Sequence, residues 1–242
     1  MRKHIVNAIR EHAAADYPRE ACGIIVANGR RQEYVRCRNV AVEASEEFRL
    51  APEDYAEAEE RGRVIGIVHT HPDASSKPSA ADRAHCEASG LPWHILSWPE
   101  GDLRTLVPSG EIPPLEGRTF VHGVWDCYAI VRDWYRLERG ITLPDYPRED
   151  GWWERGENLY MRFYEDAGFH PVEGRPQVGD VIIMQIRAAE PNHAAIYLGD
   201  GQILHHLHGR LSQRDIYGGY WAERTRLILR HGSTEDVASD PF

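Results

Sequence analysis

The sequence is poor in cysteine. Four cysteines (Cys22, Cys37, Cys86, Cys127) are scattered over 242 residues, with no CxxC pair and no tight spacing. That spacing argues against a disulfide framework and against an all-cysteine zinc knot. No apolar run approaches the roughly 20 residues that span a bilayer, so an integral membrane protein is not expected. Positive charge is also in deficit: 28 Lys and Arg against 38 Asp and Glu leave a formal charge of −10. Phosphate binding needs a basic footprint, so nucleic acid is not the expected partner. No secretory signal is legible in MRKHIVNAIREHAA, which is charged at both ends and amphipathic, with Ile5, Val6, Ile9 and Ala13 at helical spacing. The expectation is a chain made and folded in a cytoplasm.

What is present suits packed cores. Hydrophobic residues make up 42% of the chain, with seven Trp and eleven Tyr, which is not the composition of a disordered protein. The length exceeds the common domain size of about 100–150 residues, so two compact units are expected. The first half alternates helix and strand signals. Strands are read at ACGIIVA (Ala21–Ala27), EYVRC, RVIGIVHTH, WHILSW and LRTLV, and helices at the N-terminus, PEDYAEAEERG and SAADRAHCEASG. PSGEIPPLEGR, with three prolines and two glycines, reads as a linker over 108–118. Beyond it come two helical patterns, DCYAIVRDWYRLERG and WWERGENLYMRFYEDAG, then strands GDVIIMQI, HAAIYLGDGQILHH and RTRLILRH. Helices followed by strands imply an α+β unit over 119–232, and 233–242 reads as a loose acidic tail.

In VHTHPDASSKPSAAD, His69 and His71 are two apart at a strand end and point to one face. Imidazole nitrogens suit zinc, and Asp82 is the available carboxylate for a third ligand. The same segment also reads as a capping box, Ser79 as N-cap with Asp82 one turn in. The two readings are compatible, because a capped helix end fixes the direction of its carboxylate. His69-x-His71, Ser79 and Asp82 match the spacing H-x-H-x7-S-x2-D and resemble the JAMM/MPN+ metallopeptidases, with Pro18-Arg19-Glu20-Ala21-Cys22-Gly23 where that family places its glutamate. The resemblance covers residues 1–107. It implies a cytidine-deaminase-like α/β/α fold and a Zn2+ held by His69, His71 and Asp82. It also implies Glu20 as general base and Ser79 as an oxyanion stabiliser. His85 and His94 fall at no family position and read as surface or packing residues, and Cys22 as a buried structural thiol.

Cys127 follows Asp126 at an apparent helix start, where the helix dipole favours thiolate. A nucleophilic cysteine needs a base, and the His-rich region downstream is PNHAAIYLGDGQILHHLHG. Asp126-Cys127, Gly179-Asp180-Val181 and His193-x3-Tyr197-Leu198-Gly199-Asp200-Gly201 resemble the NlpC/P60 cysteine peptidases. That implies a papain-like α+β core in which Cys127 attacks, His193 is the base, and His205, twelve positions on, orients it. His206 is the rival. A two-residue turn at Asp200-Gly201 would align His206 with His193, and a three-residue turn would align His205. Tyr128 stands where many cell-wall members carry a small residue, and Asp126 reads as a helix cap or as a contact for a substrate amine.

The order of the two units resembles the tail-tip peptidases of lambda-like phages. It implies a bifunctional peptidase of the virion tail tip, made in the host cytoplasm, with phage tail-tip proteins as partners and peptidoglycan or another peptide as substrate. A structural tail-tip component with idle sites, and a cellular murein peptidase, are the competing readings.

Overall fold

The computed structural model describes residues 1–234; the rest of the expected acidic tail lies outside the described residues. The chain divides into two compact units, Met1–Gly110 and Glu111–Phe242. Among the described residues no helix is long and apolar enough to cross a membrane.

The first unit is a five-stranded sheet between helices. Strands β1 (Cys22–Asn28), β2 (Arg31–Cys37), β3 (Arg63–Pro72), β4 (Trp93–Trp98) and β5 (Leu103–Leu106) lie in the order β2-β1-β3-β4-β5. Only β3 and β4 are parallel. Parallel neighbours need a crossover, and helix α3 (Ala80–Ser89) supplies it. Alternating side chains divide the core into two layers. Ile25, Val68 and Leu96 pack under α1 (Lys3–Asp16) through Ile5, Ile9 and Ala13. Ile24, Val26, Ile67 and Trp93 face the opposite way, toward Ala58 of α2 (Pro52–Arg61) and Cys86 of α3. This is the expected α/β/α sandwich. His69 and His71 end β3 on the second face, beside the start of α3.

The second unit carries an antiparallel sheet. Strands β6 (Phe169–Pro171), β7 (Val181–Met184), β8 (His193–Gly199), β9 (Gln202–His205), β10 (Gln213–Ile216) and β11 (Thr225–His231) lie in the order β10-β9-β8-β7-β11-β6. Helix α4 (Cys127–Trp134) lays Ile130, Val131 and Trp134 on Ile183, Ala194, Ile196 and Leu204. The alternate residues Ile182, Met184, Ala195 and Ile203 face Tyr217 and Trp221, the latter on α6 (Tyr220–Arg224).

The long second helix expected over Trp152–Gly168 is broken. A 3-10 turn at Trp152–Arg155 ends at Gly156, whose φ of 75° is left-handed. A short α5 (Leu159–Phe163) restarts with Asn158 as its cap. Glycine reaches that φ without strain, and a new cap begins a new helix. Strands β6 and β10 were not expected. Arg118 is buried, pairs with Asp133 of α4 and donates its backbone N–H to Ser212 Oγ at 2.9 Å, so the end of the Pro-rich segment packs on this unit.

Candidate active sites

In the first unit, three ligand atoms converge. His69 Nε2 lies 3.1 Å from His71 Nε2 and 3.1 Å from Asp82 Oδ1, and His71 Nε2 lies 3.4 Å from Asp82 Oδ2. Tetrahedral zinc ligands about 2.0–2.1 Å from one centre sit roughly 3.3 Å from one another. The three residues therefore fit the edge of such a site. His71 Nδ1 is 2.8 Å from the Ser75 carbonyl, which holds the proton there and leaves Nε2 free for the shared point. The His69 ring is stacked on Phe48 at 4.5 Å and lies edge-on to Trp93 at 5.5 Å.

Asp82 owes its direction to the helix cap. Its backbone N–H donates to Ser79 Oγ (3.0 Å), and its Oδ2 accepts from the Ser79 N–H (2.7 Å), a complete capping box. Burial works against its charge, but hydrogen bonds to His69 and His71 hold its carboxyl well below the usual range. Ser79 itself is exposed at the mouth of this cap.

Glu20 precedes β1 and is buried. Cys22 pairs with His69, and the Thr70 N–H to Ala21 carbonyl bond (3.0 Å) carries the pairing on, setting Glu20 across from His71. Burial pushes the Glu20 carboxyl up to about 8, with His71 opposing the shift and Asp82 adding to it. Asn39 holds this segment in place: its amide donates to the Glu20 and Glu47 carbonyls at 3.0 Å each. His94 bonds Thr105 and His85 stacks on Trp93, while burial drives the Cys22 thiol far up.

In the second unit, Cys127, His193, His206 and Tyr160 line one cavity of about 280 Å³, walled largely by aromatic side chains such as Phe120, Tyr128 and Trp152. Cys127 Sγ lies 3.2 Å from Tyr160 Oη, and the Ala194 N–H, next to His193, also reaches the sulfur. The thiolate expected from the helix position is not the resting form. Burial and the Asp126 charge push the thiol up to about 11, outweighing Tyr160, Ala194 and Arg148. Burial likewise holds His193 far on its neutral side.

A bulge sets which of His205 and His206 faces His193. Gly199 pairs with Gln202 around a two-residue turn at Asp200-Gly201, both at positive φ, as hairpin turns require. The register then shifts between Tyr197 and Gly199, so that Ala195 pairs with His205. One extra residue reverses the face, and His193 shares a side with His205. His193 Nε2 is 3.0 Å from His205 Nδ1. His206 turns into the cavity, edge-on to Phe120, which also meets His208. Asp126 is buried as the cap of α4, accepting from the Ala129 and Gly123 N–H groups, and it pairs with Arg148.

Residues 2–107 match Prok-JAB, the prokaryotic homologs of the JAB domain, and residues 117–230 match the NlpC/P60 family. The tail tip assembly protein K of Escherichia phage N15 is 51% identical over 233 residues, covering 96% of this chain and 96% of that protein. The chain belongs to the tail tip assembly protein K family. The phage lambda member is 42% identical over 183 residues, covering 75% of this chain and 89% of that protein. The desampylase of Haloferax volcanii is 32% identical over 110 residues, covering 42% of this chain and 78% of that protein. This member of the K family thus joins two domains of hydrolase and peptidase families.

Four residues of these sites escaped sequence reasoning: Asn39, Arg148, Tyr160 and Asp215, whose Oδ2 lies 3.0 Å from His205 Nε2. Arg148 and Asn39 sit in segments with no periodic signal, and Tyr160 lies in the segment read as one long helix, which breaks at Gly156. Asp215 lies on β10, a strand of four residues, Gln213–Ile216, too short to be read from the sequence.

Proposed function

We propose that the protein is a bifunctional peptidase of the phage tail tip. Its first unit is a zinc-dependent peptidase for peptide or isopeptide bonds. Its second unit cleaves peptidoglycan stem peptides through Cys127, and the two act in tail assembly and cell-wall penetration beside other tail-tip proteins. The observation that carries this reading is that each unit gathers the groups needed for amide hydrolysis at one point.

In the first unit His69, His71 and Asp82 would hold the ion. Zinc, when bound, supplies Lewis acidity at a carbonyl or water oxygen, worth several kcal/mol of charge stabilisation. Glu20 stands beside that point with its neutral and ionised forms close in energy near neutral pH. Such a carboxyl is suited to accept a proton from water and return it to the departing amine. The Ser79 hydroxyl accepts from the Asp82 N–H and keeps its own proton to donate to an oxyanion.

In the second unit, thiol and imidazole both rest neutral. His193 donates from Nε2 to His205, which leaves Nδ1 as the basic atom. As Sγ bonds to the substrate carbonyl carbon, the thiol proton passes to His193. The amide C–N bond then breaks, and the same proton goes to the leaving amine. Water, with His193 again as base, hydrolyses the thioester. Asp126 is committed to Arg148 and to its cap, which leaves the aromatic wall of the cavity, with His206, to meet the substrate.

The test is metal content. Purified protein is expected to carry about one equivalent of zinc, and His71→Ala none. Equal, near-zero content in both would remove the metallopeptidase half.

A further inference from the structure

We infer that Asp215 is a positioning residue of the cysteine site, fixing the tautomer of His205 and, through it, that of His193. The inference rests on Cys127 and His193 acting as nucleophile and base. Strand β10 pairs with β9 so that Gln213 lies opposite His205 and Asp215 opposite Ile203. Paired residues in a ladder point to one side, and so do residues two apart. Gln213, Asp215 and His205 therefore share a face, and a row of polar atoms runs along it. His193 Nε2 is 3.0 Å from His205 Nδ1, and His205 Nε2 is 3.0 Å from Asp215 Oδ2. Gln213 Nε2 donates to both Asp215 oxygens, at 3.3 and 3.2 Å, and aims the carboxylate. Trp221 closes the outer side of the His205 ring, edge-on at 4.6 Å.

The direction of this row follows from what each atom can do. An ionised carboxylate only accepts, so the His205 proton sits on Nε2 and its Nδ1 is an acceptor. The His193 proton must then sit on Nε2, and the lone pair on Nδ1 is left for the thiol. In the reverse pattern His205 would donate from Nδ1 and set an Nε2 lone pair against the Asp215 oxygen. His193 would then carry its proton on Nδ1 and could not act as a base there. Asp215 also lies where positive charge on His193, gained during attack, is relayed through His205. The neighbouring charges do not substitute for it: Arg210 reaches His205 with the opposite sign, and His206 reaches His193 as another imidazole. The Asp215 side chain is 30% exposed, so solvent screens part of its field. The tautomer constraint depends on the hydrogen bond and persists.

The test is the pH dependence of iodoacetamide labelling at Cys127 in the full chain, read peptide by peptide by mass spectrometry. Amide hydrogen exchange of the β7 and β8 peptides, read by the same mass spectrometry, reports whether the second unit keeps its fold. His193→Ala is expected to slow labelling of Cys127 at neutral pH. Asp215→Ala should slow it about tenfold or more and move the rise to higher pH, as the loss of a charge-assisted hydrogen bond implies. Asp215→Asn, which keeps an acceptor but not the charge, should fall between. Slowing by His193→Ala together with a wild-type profile for both Asp215 variants would overturn this inference alone. A wild-type profile for His193→Ala would overturn the nucleophile–base pairing itself. Should Asp215→Ala lose exchange protection in β7 and β8, the Asp215→Asn profile decides between the outcomes.

Discussion

Replacing Asp126 by Asn tests how the second site is held. Asp126 and Arg148 are both buried, with Arg148 Nε 2.6 Å from Oδ2 and Nη2 3.2 Å from Oδ1. The same carboxylate accepts from Ala129 N–H and Gly123 N–H, at 2.9 Å each. Asn can keep the Ala129 cap but not the charge. Removing one partner of a buried pair costs about 3–5 kcal/mol. Arg148 retains a bond to the half-exposed Asp145 at 2.8 Å, so the lower end, about 3 kcal/mol, is expected. Asp126→Ala loses the cap too, adding about 1 kcal/mol. At roughly 4 °C per kcal/mol for a unit of this size, Asp126→Asn should melt about 12 °C lower. The assay is calorimetry of the full chain, in which the transition of the second unit moves and that of the first stays. Its pH dependence has a definite sign. Burial opposes the Asp126 charge, but Arg148 outweighs it and holds the carboxyl below the usual range. The stabilisation is thus complete above the unfolded value of about 3.9 and is lost as pH falls through the lower folded value. The gap between wild type and Asp126→Asn should be constant near neutrality and close only in strong acid. A shift under about 1 kcal/mol, or a gap that closes on raising the pH, would refute the reasoning.

Glu20→Gln should retain zinc yet lose hydrolysis by the first unit about 100-fold or more, because the carboxyl is assigned to proton transfer and not to the ion. Loss of zinc in this variant, or full activity, would contradict that role. Tyr160→Phe removes a hydroxyl that lies 3.2 Å from Cys127 Sγ and favours the thiolate. The labelling profile of Cys127, already displaced upward by burial, should move further up by less than about one pH unit; an unchanged profile would show that the hydroxyl does not donate.

Much of the fold was legible because its signals are local. The β3 run alternates toward two helical layers, and Ser79 and Asp82 write a cap that also aims a ligand. The His205 alignment was legible from spacing to a family, but not from turn geometry alone. The chain makes the two-residue turn that would favour His206, then a bulge restores His205, and bulges leave no plain mark in sequence. The helix read over Trp152–Gly168 failed at Gly156, where one left-handed residue outweighs an amphipathic pattern. The Cys127 thiol ran against expectation because burial, a property of the whole unit, outweighs the field at a helix start. Asp215 lies ten residues from His205, on a strand too short to announce itself.

The central claim is that two independent amide-cleaving sites work in one chain. The most direct measurement is mass-spectrometric mapping of the bonds cleaved in stem peptides and tail proteins by wild type, Cys127→Ala and His71→Ala. The expected result is two sets of cleaved bonds, one lost in each variant and the other kept. Identical maps for wild type and both variants would contradict it.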